Sequence, residues 1–303
     1  MSIVVVGSVF VDIKGFPEGE YDPGGRNAGR VEQVHGGVAR NVAEDAAAAG
    51  QKVVFVGLAD DTGAGEDVIR RLRDRGVETR FMERRPGGMG LWLAVFDSRG
   101  EVAASVSRRP DLRPLAEILR RREEEIFSGA EGILFELDLE EETVALVCAL
   151  GEKYAVPVCA AVSNMAIALE RRAYLPRLTS LVCNRQELGL LSPGDWEGLA
   201  PEALASRLEA VRKETGLPSL AVTLGAEGAV WSENGAWGRC PAAPAELVDT
   251  TGAGDAFFAG VGVGLCRGRS LAEACRIGAL LAAGAVGSRE SVCPPTDPKT
   301  LGL

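Results

Sequence analysis

Short runs of apolar, mostly β-branched residues alternate along the chain with longer amphipathic or alanine-rich segments. The short runs predict six buried strands: Ile3–Val6, Val53–Val56, Ile133–Leu137, Val156–Val162, Leu181–Cys183 and Leu220–Leu224. The longer segments predict helices over Val38–Ala49, Glu66–Arg75, Leu115–Phe127, Glu141–Tyr154, Pro201–Glu214, Asp255–Leu265 and Leu271–Val286. Buried strands that alternate with helices are typical of a parallel sheet, so the pattern predicts an α/β fold with helices on both faces of the sheet.

Two segments interrupt this alternation. Val11–His35 is rich in glycine, proline and charged residues and lacks a helical period. Gly90–Val106 predicts two strands, Leu91–Phe96 and Val102–Val106, joined by a turn at residues 97–100. Both segments could pair into a small sheet over the carboxyl ends of the main strands, where ligands of α/β sheets bind and a lid would be useful. We assign residues 1–11, 36–82 and 107–303 to an α/β core, and residues 12–35 and 83–106 to a small β lid.

The composition indicates a protein with a large core. The 303 residues are 46% hydrophobic with a mean hydropathy of +0.07, which suits one large domain or a domain with an appendage. No apolar run approaches the roughly 18–20 residues that span a bilayer, and the chain starts without a secretory signal pattern. The seven cysteines contain no CxxC pair and lie mostly in apolar segments, as reduced thiols do. We therefore expect a cytoplasmic protein with no membrane partner.

The charge distribution narrows the classes of partner and metal site. A formal charge of −10 argues against binding to nucleic acid. The basic run Arg120-Arg121-Arg122 is followed by Glu123-Glu124-Glu125, which is typical of a solvated helix face. The single histidine, His35, excludes a histidine-rich metal site. Its position beside a glycine pair favours a partly buried structural role over a catalytic role.

The segment Val248–Gly260 predicts a strand end, a tight glycine turn and the start of a buried helix. A helix start offers free backbone N–H groups and the positive end of the helix dipole, which attract an anion. Gly252 and Gly254 leave those amides open. Asp255 adds a carboxylate that could deprotonate a hydroxyl attacking a phosphoryl group, or could simply complement the dipole. The motif alone leaves both interpretations open.

A near-copy of this motif occurs at Asp61–Asp67. Its acid is displaced by one residue, and Glu66 and Asp67 are typical of charges in the first turn of a helix. We expect the copy to be structural, which shows that the glycine spacing by itself decides little.

A second glycine motif could contact a hydroxylated ligand. Gly36-Gly37 opens the alanine-rich helix, and a glycine pair there permits close backbone approach. Asn41 offers a donor and an acceptor, and Asp12, just past the first strand, could accept bonds from a vicinal diol. Taken alone, glycine pairs are more typical of turns, and an aspartate after a strand is more typical of a cap.

Two more motifs follow predicted strands. Asn184 and Glu187 share a face at a helix start, so they could hold hydrated Mg²⁺ beside phosphates, or they could form a capping box. The capping box is the simpler interpretation of this pair in isolation. Thr223, Gly225 and Gly228 form a tight turn that a nucleotide could approach, although most such turns bind nothing.

Together and in this order, the motifs make the chain resemble the ribokinase-like (PfkB) family of carbohydrate and nucleoside kinases. The resemblance runs from Val4 to about Pro294. Val248–Gly260 is similar to the C-terminal signature of the family, and Gly36–Gly50 is similar to its N-terminal glycine signature. The resemblance implies a three-layer αβα core with a mostly parallel sheet and a small β-sheet lid. It also implies a phosphotransferase with an alcohol group as acceptor.

The resemblance further implies roles for individual residues. Asp255 would activate the acceptor hydroxyl as a base, and the amides of Gly252, Ala253 and Gly254 would form an anion hole. The hydroxyls of the acceptor would be held by Asp12, Gly36, Gly37 and Asn41. ATP would be bound at Asn184, Glu187, Thr223, Gly225 and Gly228, with Glu187 contacting Mg²⁺ through water. Asp249 and Thr251 fall where many members bind a monovalent cation such as K⁺.

Departures from the ribokinase pattern bear on the acceptor and on the cation. Val38 stands where sugar-specific ribokinases carry a lysine, and Gly36–Glu44 is more similar to pseudouridine kinases. An apolar Val38 favours a flat base over a free anomeric hydroxyl, so pseudouridine or a related nucleoside is the leading acceptor. Ser288–Ser291, which would complete the cation site, has no glycine where ribokinases usually carry one.

These observations predict a cytoplasmic ATP- and Mg²⁺-dependent kinase that phosphorylates a primary hydroxyl of a pentose-like sugar or nucleoside. A kinase for a free sugar such as ribose or a ketohexose stays open, as does a non-catalytic sensor that binds a nucleoside or sugar. A dinucleotide-dependent oxidoreductase is disfavoured, because Gly7-Ser8-Val9-Phe10 replaces a GxGxxG motif after the first strand. By resemblance the protein would be a homodimer through the lid, since an exposed Leu91–Phe96 would invite aggregation.

Overall fold

The computed structural model describes residues 1–98 and 101–303. Within these residues the strands are β1 (Ser2–Val6), β2 (Phe10–Pro17), β3 (Gly29–Gly36), β4 (Val53–Ala59), β5 (Val77–Arg84), β6 (Gly90–Phe96), β7 (Val102–Arg108), β8 (Ala130–Glu136), β9 (Val158–Ala161), β10 (Ser180–Asn184), β11 (Ser219–Thr223), β12 (Ala229–Glu233) and β13 (Ala236–Cys240). Nine of them form a large sheet in the order β13-β12-β11-β10-β9-β8-β1-β4-β5. Neighbours from β11 to β5 are parallel, whereas β12 and β13 add as antiparallel strands at one edge.

Helices cover both faces of the large sheet. They are α1 (Val38–Ala48), α2 (Gly63–Asp74), α3 (Pro114–Arg121), α4 (Glu123–Phe127), α5 (Glu141–Tyr154), α6 (Met165–Ala168), α7 (Arg185–Leu191), α8 (Pro201–Thr215), α9 (Ala253–Cys266) and α10 (Leu271–Val286), with 3₁₀ helices at Leu169–Arg177 and Gly225–Glu227. In the two described ranges, no helix is long and apolar enough to cross a membrane.

The central strand β1 shows why the chain folds into three layers. Its side chains alternate between two hydrophobic cores: Ile3 and Val5 lie in one, and Val4 and Val6 lie in the other. The first core contains residues of α1, α2, α9 and α10, and the second contains residues of α3, α5, α7 and α8. These four side chains are fully buried, and each contributes about 1.5–3 kcal/mol by its removal from water. The predicted mostly parallel sheet with helices on both faces is confirmed.

The predicted elements and the observed elements differ in detail. All six predicted strands are present, although Val156–Val162 is shortened to β9. The predicted helix Leu115–Phe127 breaks at Arg122, where φ is −114°, and forms α3 and α4. The edge strands β5 and β13 were not predicted, because their charged or exposed residues give no continuous apolar run.

The two segments that interrupt the sequence pattern pair with each other as predicted. They form a four-stranded sheet in the order β3-β2-β6-β7, in which β2 and β6 are parallel neighbours. Asp12 of β2, Trp92 of β6 and Ser107 of β7 occupy one row across this small sheet. The row lines a cavity above the large sheet. Of the predicted turn at 97–100, residues 99 and 100 lie outside the described residues, and the residue boundaries of the lid stay a prediction.

Candidate active site

Two adjoining cavities lie at the carboxyl ends of the large-sheet strands. The lid-side cavity, of about 560 Å³, is bounded by residues of the small sheet, the start of α1 and the ends of β1 and β8, including Ser8, Phe10, Asp12, Trp92 and Glu136. The loop-side cavity, of about 610 Å³, is bounded by the turn after β11 and by α10, including Thr223, Gly228 and Ala282. The first turn of α9 borders both cavities: Gly252 and Asp255 line the first, and Ala253 and Gly254 line the second.

The start of α9 presents backbone amides to both cavities, and of these the Ala253 N–H donates to the Thr250 carbonyl oxygen at 3.3 Å. Gly252 is the N-cap residue of α9 with φ +82°, and no described side chain caps the helix. A Cβ atom at Gly252 would lie 2.0 Å from the carbonyl oxygen of Ser291, so glycine is needed both for the conformation and for the space. At Gly254 a Cβ atom would meet no described atom within 4 Å. Amides at the positive end of a helix dipole suit an anion between the two cavities.

The carboxylate of Asp255 lies at the floor of the lid-side cavity. Its Oδ2 accepts a hydrogen bond from Nδ2 of Asn41 at 2.6 Å. Burial raises the pKa of Asp255 to about 6, and the nearby Asp12 charge acts in the same direction. The hydrogen bond from Asn41 and the charge of Arg40 oppose that increase. A carboxyl group with a pKa near the working pH is suited to take a proton from a hydroxyl.

The structure brings the predicted acceptor-site residues together around Asp255. Asp12, Gly36, Gly37 and Asn41 all line the lid-side cavity. Gly37 has φ +99°, and a Cβ atom there would lie 2.8 Å from the carbonyl oxygen of Ser8. The glycine pair therefore lets α1 start directly beneath the small sheet. Burial raises the pKa of Asp12, while Lys14 and Arg40 oppose this shift.

Glu136, at the end of β8, is a site residue that the sequence analysis missed. It is buried, and its carboxylate accepts hydrogen bonds from the Ser8 backbone N–H at 3.2 Å, the Ser8 hydroxyl at 2.8 Å and the Ala39 N–H at 2.7 Å. Burial and the neighbouring Asp138 raise its pKa to about 7. The available signal was an acid that ends an apolar strand, directly after Phe135, at the edge where ligands bind.

Asn184 and Glu187 form a capping box at the start of α7. Oδ1 of Asn184 accepts from the Glu187 N–H at 2.8 Å, and Oε2 of Glu187 accepts from the Asn184 N–H at 2.7 Å. Neither is among the described residues that line the two cavities. The pKa of Glu187 nevertheless depends on the site, because burial and the charges of Asp138 and Asp255 raise it.

Thr223, Gly225 and Gly228 all line the loop-side cavity. The turn between them contains the 3₁₀ helix Gly225–Glu227. Gly228 has φ +90°, and a Cβ atom there would lie 2.1 Å from the carbonyl oxygen of Cys240. The opposite wall is apolar and includes Phe257, Ala279, Ala282, Ala283 and Val286. A cavity with smooth apolar walls and a few glycines is suited to a flat aromatic ring.

Asp249 and Thr251 interact with each other just before α9. Oδ1 of Asp249 accepts hydrogen bonds from the Thr251 N–H at 2.9 Å and from the Thr251 hydroxyl at 2.8 Å. Thr251 is exposed and Asp249 is half-buried. One carboxylate oxygen of the predicted cation site is therefore occupied by its own loop.

His35 and the near-copy of the glycine motif make contacts that are typical of residues with a structural role. Thr62 caps α2 by accepting from the Gly65 N–H, and a Cβ atom at Gly65 would lie 2.1 Å from a backbone oxygen of Asp60. Nε2 of His35 lies 3.0 Å from Asp67 of the same motif. Burial and nearby arginines lower the pKa of His35 to about 4. These residues are not among the described lining of either cavity.

Comparison with known proteins agrees with this geometry. The model of the pfkB family carbohydrate kinase matches residues 1–297. The chain is 30% identical over 296 residues to guanosine-inosine kinase of Exiguobacterium acetylicum, and the aligned region covers 97% of each chain. It is 24% identical over 276 residues to pseudouridine kinase of Escherichia coli strain K12, covering 90% of this chain and 87% of that one. The structure of Arabidopsis thaliana ribokinase complexed with ribose and ATP matches with a TM-score of 0.82 and 24% identity, over 99% of this chain and 98% of that one.

The fold is ribokinase-like. The chain belongs to the pfkB family of carbohydrate kinases. It is a phosphotransferase that uses ATP and takes an alcohol group of a sugar or nucleoside as acceptor.

Proposed function

We propose that the protein transfers the γ-phosphate of ATP to the primary hydroxyl of a nucleoside. The observation that carries this proposal is the position of the first turn of α9 between the two cavities. ATP in the loop-side cavity and an acceptor in the lid-side cavity would meet at Gly252–Asp255. This turn offers backbone amides and a carboxylate where a phosphoryl group would pass, and the Ala253 N–H would exchange its 3.3 Å bond to Thr250 for a phosphoryl oxygen.

The groups at this turn suit an in-line transfer. Asp255 takes the proton of the acceptor hydroxyl as its oxygen attacks the γ-phosphorus, and the bond from phosphorus to the β-phosphate oxygen breaks with its electrons on ADP. The amides of Gly252, Ala253 and Gly254 stabilise the negative charge on the transferred group. Asn41 holds the Asp255 carboxylate through its 2.6 Å hydrogen bond. We further propose that residues 12–35 and 83–106 act as a lid that excludes water.

The residues of the site fit a hydrated divalent cation. Mg²⁺ keeps several of its waters and binds phosphate oxygens, so one carboxylate beside the ATP phosphates is enough to hold it. Burial and then the charges of Asp138 and Asp255 raise the pKa of Glu187, and a cation would relieve the repulsion among these carboxylates. We propose that Glu187 holds Mg²⁺ through water beside the ATP phosphates. When bound, the ion neutralises charge on those phosphates.

A monovalent cation fits the residues less well. Asp249 uses Oδ1 for two hydrogen bonds to Thr251, and Thr251 is exposed. The backbone oxygen of Ser291 packs against Gly252, which needs no ion between them. We retain Asp249 and Thr251 as a candidate K⁺ site, and the mechanism includes no step that depends on it.

The walls of the lid-side cavity favour a nucleoside over a free sugar. Phe10 and Trp92 present aromatic rings, Val38 is apolar, and Arg109 adds a cation at the rim. A base that stacks on an aromatic side chain gains about 1–3 kcal/mol. Asp12 and Asn41 lie in the same cavity and supply polar atoms for ribose hydroxyls. The similarity to guanosine-inosine kinase and to pseudouridine kinase supports a nucleoside and leaves purine nucleosides and pseudouridine as the candidates.

A panel of acceptors in a coupled assay of ADP release tests this proposal. Guanosine, inosine, pseudouridine, ribose and fructose are compared by kcat/KM. We expect the best nucleoside to exceed ribose by about 10–100-fold, because stacking contributes about 1–3 kcal/mol. Trp92→Ala should remove most of this preference, whereas Trp237→Ala, on the exposed strand β13, should leave it unchanged. Equal turnover of ribose would indicate a free-sugar kinase, and tight nucleoside binding without turnover would indicate a sensor.

The open face of the small sheet supports a homodimer. Val31, Leu93 and Val106 are 72%, 42% and 72% exposed on three different strands. Leu93 lies opposite Val106 in the register of β6 and β7, so these side chains form an apolar patch. Strand β7 is also an edge strand whose residues are all exposed. We propose that a second copy of the chain covers this face.

The cysteines support a cytoplasmic location. All seven are free thiols in the structure, with no disulfide among the described residues. Burial raises the pKa of Cys159, Cys183 and Cys275 well above the usual range, so these thiols are unreactive. Reduced buried thiols and a need for ATP are typical of cytoplasmic enzymes, and we place the protein there.

A further inference from the structure

Helix α1 carries two buried polar side chains one turn apart. Asn41 is 5% exposed and Asp45 is 0% exposed. Each uses one atom for a link to another part of the site: Nδ2 of Asn41 donates to Asp255 at 2.6 Å, and Oδ1 of Asp45 accepts from the Cys293 N–H at 2.6 Å. Asp45 thereby anchors the segment whose Ser291 packs against Gly252.

The second oxygen of each side chain lacks a donor. Oδ1 of Asn41 and Oδ2 of Asp45 are buried, and neither accepts a hydrogen bond from any residue of the described chain. A buried acceptor left unpaired costs about 1–3 kcal/mol. Side chains at positions i and i+4 of a helix are neighbours on one face. One proton on Asp45 would satisfy both oxygens, because a protonated carboxyl group is a donor and an amide oxygen is an acceptor.

We propose that Asp45 is a positioning residue that is protonated on Oδ2 and donates a hydrogen bond to Oδ1 of Asn41. This bond fixes the orientation of the Asn41 amide, so that Nδ2 and not Oδ1 faces the carboxylate of Asp255. A reversed amide would place two oxygen atoms against each other at the position of the 2.6 Å contact. The proposal rests on the proposed role of Asp255 as the base.

The charges around Asp45 keep its proton in place. Burial is the largest cause that raises its pKa well above the usual range, and the charges of Asp255 on α9 and Glu44 on α1 add to it. The Cys293 N–H and Arg40 oppose the increase without reversing it. The thiol of Cys293 is the other titratable group beside it, and burial raises the pKa of that thiol too.

Two substitutions test whether the side chain at position 45 acts as a neutral hydrogen-bond donor or as a charged carboxylate. Asp45→Asn keeps an acceptor for Cys293 and a donor for Asn41, so we expect kcat within about threefold of wild type. We also expect its acid limb in the profile of kcat/KM against pH to stay where Asp255 places it. Asp45→Leu, which has the same branched shape and number of heavy atoms, removes both bonds and should lower kcat by about 10–100-fold through a misplaced base, with the KM for ATP unchanged.

An acid limb that moves to lower pH in Asp45→Asn would overturn the proposal, because it would mean that wild-type Asp45 is charged and raises the pKa of Asp255. Wild-type kcat in Asp45→Leu would overturn it as well. The ¹³C resonance of the Asp45 carboxyl group, assigned with Asp45→Asn, gives a readout that needs no turnover. We expect the shift of a protonated acid between pH 6 and 8, and the shift of a carboxylate would contradict the proposal. Failure of the proposed function itself would appear differently, as full turnover in Asp255→Asn.

Discussion

Asp255 combines two opposing environments at the scale of a single residue. It is the third residue of α9, where the helix dipole favours a negative charge, and it accepts a 2.6 Å hydrogen bond from Asn41. Burial nevertheless dominates and raises its pKa to about 6. The carboxylate is therefore ionised at neutral pH and still basic enough to take a proton. Turnover is expected to decrease as the pH falls through this value.

The same shift has a consequence for stability. The folded pKa of about 6 lies above the ordinary value of 3.8, so the contribution of Asp255 to stability is complete below pH 3.8 and is lost as the pH rises through 6. Asp255→Asn removes this titration. We expect the variant to have a higher free energy of unfolding than wild type at pH 8, with a smaller difference at pH 4. Denaturant unfolding at the two pH values measures this, and an equal difference at both would contradict it.

At the scale of elements, the first turn of α9 contains two glycines with different requirements. Gly252 has φ +82° and no space for a Cβ atom, whereas Gly254 has helical φ and space for one. Gly252→Ala should destabilise the protein by about 1–3 kcal/mol or more. Gly254→Ala should leave the free energy of unfolding unchanged or raise it by up to about 1 kcal/mol. It should still lower kcat/KM for ATP, because its methyl group projects where phosphates approach.

The two variants are matched controls for each other, with unfolding and kinase activity measured on both. An unaffected fold in Gly252→Ala would contradict the role of the tight contact with Ser291. Full activity in Gly254→Ala would contradict the passage of phosphate over this turn.

Local patterns in the sequence predicted some elements and not others. The apolar runs predicted β1 and the other central strands, because a strand buried on both faces needs a continuous apolar run. The apolar pattern did not predict strand β5, because Glu78, Arg80 and Glu83 interrupt its apolar positions. An edge strand tolerates such charged residues. The sequence predicted that a small sheet forms, but it did not predict the parallel pairing of β2 with β6. The register of this pair depends on chain segments that are far apart in sequence.

The residues of the site also fall into those that local sequence motifs predict and those that they do not predict. Asp255, Asn41 and the glycines lie in local motifs, so they could be predicted before their contacts were known. Glu136 carries no motif, and its role depends on Ser8 and Ala39, which are 128 and 97 residues away in the chain. The proton proposed on Asp45 could not be predicted from the sequence either, because only the packed structure shows that the two oxygens lack donors.

At the scale of the whole molecule, the open face of the small sheet determines the proposed assembly. Val106→Asp places a charge in the centre of the apolar patch next to Leu93. We expect this variant to be monomeric by analytical ultracentrifugation at concentrations where wild type is a dimer, because a buried unpaired charge opposes association. Leu280→Asp, at an exposed apolar position of α10, should leave the dimer intact. A monomeric wild-type protein, or a dimeric Val106→Asp, would exclude this face as the interface.

Turnover of Asp255→Asn with saturating ATP and the best acceptor shows whether Asp255 is the base. We expect kcat to decrease by about 10²–10⁴-fold while the Kd for ATP stays nearly unchanged, because the variant loses the base and keeps the nucleotide cavity. Asp67→Asn, at the displaced acid of the near-copy in α2, is the matched control and should turn over like wild type. Near-normal turnover in Asp255→Asn would contradict the assignment of Asp255 as the base.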